Sequence, residues 1–140
     1  MNEYKNGEIA FETGSMTKEE LEAMLNSLPV DITFVDQEDT VRYFSQPGER
    51  IFPRAKAIIG CKVQQCHPQK SIDRVNQVLN DLRSGERDSA EFWINLGEKK
   101  VYIRYFAVRD KAGRYLGTLE ATQDITQIKK IEGEKRLLDY

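Results

Sequence analysis

Three side chains able to hold a metal, ligate haem or exchange electrons lie close together: Cys61, Cys66 and His67, in the stretch IIGCKVQQCHPQKS. The chain has no other cysteine and no other histidine. Four chemistries compete for them. Covalent haem attachment uses Cys-x-x-Cys-His, whereas here the spacing is Cys61-x4-Cys66-His67 with Pro68 directly after. Structural zinc takes four protein ligands in a closed tetrahedron, and this cluster offers three. Non-covalent haem needs one axial histidine aimed into an apolar pocket, its other ring nitrogen hydrogen-bonded outside, and His67 is the candidate. The fourth reading is structural. Pro68 presets the backbone for the start of a helix, the imidazole satisfies a nearby backbone group, and Cys66 packs as a small apolar residue. The sequence favours the fourth and leaves haem ligation by His67 open.

Other chemistry finds less machinery. A Ser in a Gly-x-Ser-x-Gly turn is missing, one histidine gives no Cys-His-Asn/Asp constellation, and the cysteine spacing is not that of a thiol oxidoreductase. Gly113 and Gly117 lack the strand-to-helix context of a phosphate loop. The expectation is a non-enzyme. A net charge of -2 speaks against a nucleic-acid partner, and no apolar run nears the roughly 20 residues that span a bilayer. Two cysteines five positions apart are too few for a disulfide scaffold, so a cytoplasmic protein is expected. At 140 residues, 39% of them hydrophobic and 31% charged, the chain suits one soluble domain with a real core.

The elements that must position these residues follow from periodicity. Residues 1–15 show none and read as a flexible tail. Thr17 and Glu20 form a capping box, and Leu21, Met24, Leu25 and Leu28 repeat at helical spacing until Pro29, giving a flanking helix over 16–29. DITFVDQEDTVRYFS reads as a hairpin around Gln37-Glu38-Asp39. Broken short pieces follow from Gln46 to Lys62. A long helix then carries the stripe Ile72, Val75, Val78, Leu79 and Leu82 and ends at Ser84-Gly85. Three strands come next, SAEFWINL, KKVYIRYFAVRD and YLGTLEATQD, joined at Gly97-Glu98-Lys99 and Asp110-Lys111-Ala112-Gly113. The chain closes with ITQIKKIEGEKRLLDY, expected as an exit helix over 125–140, capped by Asp124, with Ile128, Ile131 and Leu138 at coiled-coil-like spacing. This order predicts an α+β fold: a five-stranded antiparallel sheet with helices on one face and flanking helices at both ends.

Alternation assigns the strand faces. Phe92 and Ile94, Ile103 and Tyr105, and Leu119 and Ala121 are expected under the helices. Phe34, Tyr43, Phe52, Cys66, His67, Val75, Val78 and Leu79 complete the wall of a cavity for a small apolar or planar ligand. Trp93, Tyr102 and Phe106 fall on the opposite face. So large an aromatic surface must be covered, and the helix carrying Leu21, Met24, Leu25 and Leu28 is the candidate, in a homodimer.

The His67-Pro68 step before the long helix, the VRDKAGRYLGT turn and the QDITQIKK exit together resemble a PAS (Per-ARNT-Sim) sensory domain over about residues 30 to 126, with the domain itself placed at 30–124. LPVDITFVDQEDTVRYFS, ERIFPRAKAIIG, CHPQKS and EFWINL look like a bacterial and archaeal subfamily whose PAS domain follows an uncharacterised domain and a hemerythrin-like domain. The chain would then be a fragment or a stand-alone relative. The resemblance implies a signalling module in which Asp124, Ile125 and Thr126, standing where the family has Asp-Ile-Thr, relay a change at a bound ligand or an oxidised group into the exit segment. A haem-based sensor using His67 and a ligand-free dimerisation module are the alternatives.

Overall fold

In the computed structural model, which describes residues 4, 5 and 7–140, eight strands and two α-helices form two sheets. The main sheet has five antiparallel strands: β4 (Asp31–Asp36), β5 (Val41–Phe44), β6 (Ser89–Leu96), β7 (Lys99–Arg109) and β8 (Tyr115–Asp124), in spatial order β5-β4-β8-β7-β6. Helix α2 (Ile72–Ser84) lies against its inner face, touching β7 and β8. Its apolar stripe meets the sheet, and Leu82 is fully buried together with Val41 and Val101. Burial of such a leucine stabilises the fold by roughly 2–3 kcal/mol. Gly85 ends α2 in the left-handed region at φ 85°, a conformation that costs glycine nothing.

Turn chemistry fixes the hairpins. Asp36 Oδ1 accepts the N–H groups of Glu38 and Thr40, which closes β4 onto β5. Asp110 does the same for Ala112 and Arg114 between β7 and β8. Each hairpin also contains an extra residue. β4 and β5 pair Val35 with Val41 but Phe34 with Tyr43, leaving Arg42 over. β7 and β8 pair Arg109 with Tyr115 but Val108 with Gly117, leaving Leu116 over. Such bulges change which residues of one strand share a face with the next.

A second, smaller sheet stands before the first helix. β1 (Tyr4–Lys5), β2 (Glu8–Phe11) and β3 (Gly14–Thr17) pair antiparallel, with Gly7 at φ 77°. This corrects the expected flexible tail over 1–15; of that stretch, residues 1–3 and 6 lie outside the described residues. Helix α1 (Lys18–Ser27) follows with the expected capping box, Thr17 Oγ1 accepting from Glu20 N–H and Glu20 Oε1 from Thr17 N–H. Asn26 Oδ1 accepts from Gln46 N–H, tying α1 to the chain leaving β5.

The exit differs most from expectation. Residues 125–140 form no long helix; one 3-10 turn, Ile128–Lys130, is followed by irregular chain with Gly133 at φ 65° and Leu138 at φ 75°. Ile131, Leu137 and Leu138 are exposed. An isolated stretch of this length is marginal as a helix in water, and here its apolar residues have no surface to pack on.

Candidate ligand cavity

The segment from Gln46 to Ser71 wraps the open side of the sheet, and polar contacts anchor it. Arg50 is buried, its Nη1 donating to Ser45 O at 2.6 Å and its Nε to Phe52 O at 3.1 Å, while Asp31 Oδ2 accepts from Ile51 N–H. Farther along, Val41 N–H donates to Cys61 O and Val63 N–H to Asp39 O. The Asp39 carboxylate accepts from Gln64 Nε2 and Arg83 Nη2, so one side chain joins the β4–β5 turn, this segment and α2. A charged group so placed holds three elements in one arrangement.

Between this segment, α2 and the inner face of the sheet is a cavity of about 190 Å³. Its walls are mostly aliphatic: Val35 and Val41 from the sheet, Ile58 and Val63 from the wrapping segment, Val75, Val78 and Leu79 from α2. Phe92 and Tyr105 stand edge to face at the β6 side, ring centroids 6.0 Å apart. Val78 and Phe92 also border a polar groove between α2 and β6. One part of the lining is polar. Arg54 Nη2 donates to Glu120 Oε1 at 3.3 Å, with 17% and 10% of the two side chains exposed. Burial, then the Glu120 carboxylate, push the Tyr105 hydroxyl well above its usual range, so it stays protonated. Thr33, Thr118 and Arg74 complete that part of the lining.

Eight of the residues expected at the cavity line it: Cys66, His67, Val75, Val78, Leu79, Phe92, Ile103 and Tyr105. Six do not. Phe34, Tyr43, Leu119 and Ala121 stand on the outer face, where Phe34 pairs with Tyr43 and Leu119, and Ala121 with Ile32 and Arg104. For Leu119 and Ala121 the reason is the bulge at Leu116. Counted without it, Tyr105 would face Leu119 and Ile103 would face Ala121; with it, Tyr105 pairs with Glu120 and Ile103 with Thr122. Ile94 shares the inner face with Val101 but lies beyond the cavity, and Phe52 sits in the wrapping segment away from the lining. The missed residues are the aliphatic Val35, Val41, Ile58 and Val63 and the polar Arg54, Glu120, Thr33, Thr118 and Arg74. Parity placed Glu120 outward, and Arg54 lies in a segment without periodicity.

The opening cluster does not act as a unit. Cys66 and His67 line the cavity and Cys61 does not; both cysteines are free thiols. Burial pushes the Cys66 thiol up, which suppresses the reactive thiolate. His67 Nδ1 lies 3.1 Å from Val63 O, and since a carbonyl only accepts, Nδ1 carries the proton. Among the described residues no three His, Cys, Asp or Glu side chains converge as metal ligands. Haem does not fit either. Pockets that take drug-sized ligands, smaller than haem, measure about 300–1,000 Å³, and the space beside His67 is about 190 Å³.

On the outer face, Trp93 is 61% exposed, and Arg104 stacks over Tyr102 and Phe106 with centroid distances of 4.8 and 5.6 Å. Burial and then the nearby Glu22 carboxylate raise the pKa of Tyr43. Met24 of α1 stays exposed, while Leu21, Leu25 and Leu28 are half-buried. At the exit, Asp124 Oδ1 accepts from Thr126 N–H and Oγ–H, Thr126 Oγ1 accepts from Lys100 N–H, and Ile125 N–H donates to Lys100 O. Asp124-Ile125-Thr126 thereby fastens the end of β8 to the start of β7. Among the described residues no helix is long and apolar enough to cross a membrane.

A curved antiparallel sheet closed by one long helix and a wrapping segment around a small cavity defines the class: a cavity-bearing α/β domain. The family model for the PAS domain matches residues 21–126, and the chain belongs to that family. It is similar to the crystal structure of a C-terminal domain from Streptococcus mutans, at 35% identity and TM-score 0.84, over 89% of this chain and 97% of that one. The PAS domain of a protein from Colwellia psychrerythraea matches at 13% identity and TM-score 0.57, over 78% and 97%. A sensory box sensor histidine kinase from Vibrio cholerae matches at 13% and 0.56, over 76% and 89%. No curated protein matches the chain.

Proposed function

We propose that this PAS domain is a sensory binding module, without catalysis of its own. A small, mainly apolar molecule enters the cavity under α2, and occupancy is passed along β8 to Asp124-Ile125-Thr126. The observation that carries the reading is the continuity of β8. Thr118 and Glu120 line the cavity, and the same strand runs into the clamp on Lys100. A ligand shifts such an equilibrium only by binding its two states unequally. The Arg54–Glu120 pair supplies that inequality, because its geometry depends on what stands beside it. Sensing through oxidation of Cys66 is the weaker route, given its suppressed thiolate.

The output is proposed to run through a homodimer. β6 is an edge strand with Phe92, Trp93, Ile94 and Leu96 all exposed, and an unprotected apolar edge of this kind favours association. Exit segments paired across such a dimer would give Ile128 and Ile131 the apolar surface they lack alone. The subfamily resemblance supports placing the module after a hemerythrin-like domain, whose state it would modulate or report.

Native mass spectrometry of freshly purified protein, with Val75→Phe as comparison, tests the reading. Expected is a bound small molecule, or uptake from a library of single-ring compounds, that the added phenyl ring abolishes. Protein that takes up nothing, or takes it up equally in Val75→Phe, overturns it.

A further inference from the structure

The reading of the cavity as a ligand site leaves the chemistry of the ligand open, and Arg54 narrows it. A guanidinium has five N–H donors and no acceptor. Arg54 uses Nη2 alone, toward Glu120 at 3.3 Å, which is long beside the 2.7–2.9 Å usual for a charge-assisted bond. Its Nε is buried and has no partner. Buried donors without an acceptor are rare and costly in folded proteins, so the arrangement is one acceptor short. Tyr105 pairs with Glu120 across β7 and β8, and both line the cavity beside Arg54. The charged groups of the lining are Arg54, Arg74 and Glu120, two cations against one carboxylate.

We propose that the cavity takes a small monocarboxylate, with the carboxylate side-on against Arg54 and an apolar body among Val75, Val78, Leu79 and Ile103. A planar carboxylate matches the fork of a guanidinium through two parallel N–H···O bonds. Nε then gains the acceptor it lacks, while Nη2 stays shared with Glu120. The second positive charge, on Arg74, offsets the added negative one. Size sets the body: a dry cavity of about 150 Å³ holds one benzene ring, and the space here is about 190 Å³. The body is therefore one ring or a short branched chain, not a long acyl tail.

The test titrates the full chain with benzoate, benzamide and benzylamine, three probes of one body that differ in the charge of the head group. Binding is followed by calorimetry and by methyl shifts of the valines, Leu79 and Ile103. Benzoate is expected to bind at least about tenfold more tightly than benzamide, with benzylamine weakest. In Arg54→Gln the benzoate preference should fall to within about twofold of benzamide, and Arg54→Lys should give an intermediate preference, since a lysine keeps the charge but loses the fork. Benzamide or benzylamine binding as well as benzoate in the unaltered protein overturns the proposal and leaves the cavity reading standing. None of the three moving a cavity methyl overturns both. The unaltered protein alone decides the first comparison, so it stands whether or not the Arg54 variants fold.

Discussion

Gly117 is the point where the sheet leaves no room for a side chain. It follows the bulge residue Leu116 on the central strand β8, pairing with Asp36 on one side and Val108 on the other. A Cβ built there meets Val35 O at 2.2 Å and the Phe34 ring at 2.8 and 2.9 Å, and φ is 157°. The ring can rotate away, but the carbonyl belongs to β4 and moves only with its strand. Overpacking of this kind costs about 1–3 kcal/mol, and the unfavourable backbone adds about 1 kcal/mol more. A total of about 3 kcal/mol is a large part of the 5–15 kcal/mol typical of a domain. At this length each kcal/mol moves Tm by about 3 °C, so Gly117→Ala should melt about 10 °C below the unaltered protein. Gly113→Ala is the control. It has φ 85° with open space around the added methyl, so only the backbone preference acts, about 1 kcal/mol or 3 °C. Both are read by circular dichroism on heating. Gly117→Ala melting within about 3 °C of the parent, or no lower than Gly113→Ala, would refute the close approach of β8 to β4 on which the cavity lining rests.

Other expectations concern the clamp and the titrating groups. Thr126→Ala removes the acceptor for Lys100 N–H, worth about 1 kcal/mol, so the Lys100 amide should exchange about fivefold faster while core amides of β7 hold. Three carboxylates fall below their ordinary 3.8. Hydrogen bonds from Arg114 N–H and side chain lower Asp110, and those from the Thr126 side chain and N–H lower Asp124. At Asp36 burial acts upward but is outweighed by the N–H groups of Thr40 and Glu38 and by Arg42. Their contribution is therefore complete above pH 3.8 and is lost as pH falls through the lowered values. The urea midpoint should drop in that acid range, and less steeply in Asp110→Asn. Tyr105 has the opposite sign, its raised pKa stabilising the fold below pH 10 and failing as pH rises further. In an alkaline titration of tyrosinate absorbance it should ionise last, and in Tyr105→Phe that last step should vanish. Cys66 should alkylate more slowly in the folded protein than in urea, because burial disfavours its thiolate.

The strands after the long helix were legible to within a residue, because alternation, Gly97 and the Asp110–Gly113 turn all mark the same boundaries. The capping box at Thr17 and the glycine stop at Gly85 were equally plain. Strand parity was not. A bulge at Leu116 leaves no mark in a hydrophobic pattern when the strand is covered on both faces, as β8 is, and so Glu120 was placed outward. The first sheet was missed although Asn6-Gly7 is a strong turn signal, because its strands are too short to show alternation. In the exit segment, spacing pointed to a helix; forming one takes a surface that this chain does not itself supply. The cavity's polar residues were the least legible, since Arg54 gains its meaning only when the chain brings it 66 positions along the sequence to Glu120.

The central claim is that the space beneath α2 receives a molecule and the outer face of the sheet does not. The most direct measurement is a methyl-resolved NMR spectrum of the full chain during titration with single-ring compounds. Resonances of Val75, Val78, Leu79 and Ile103 should move together and saturate, with those of Ile32 and Leu119 unmoved. Shifts confined to Ile32 and Leu119, or none anywhere, would contradict the account.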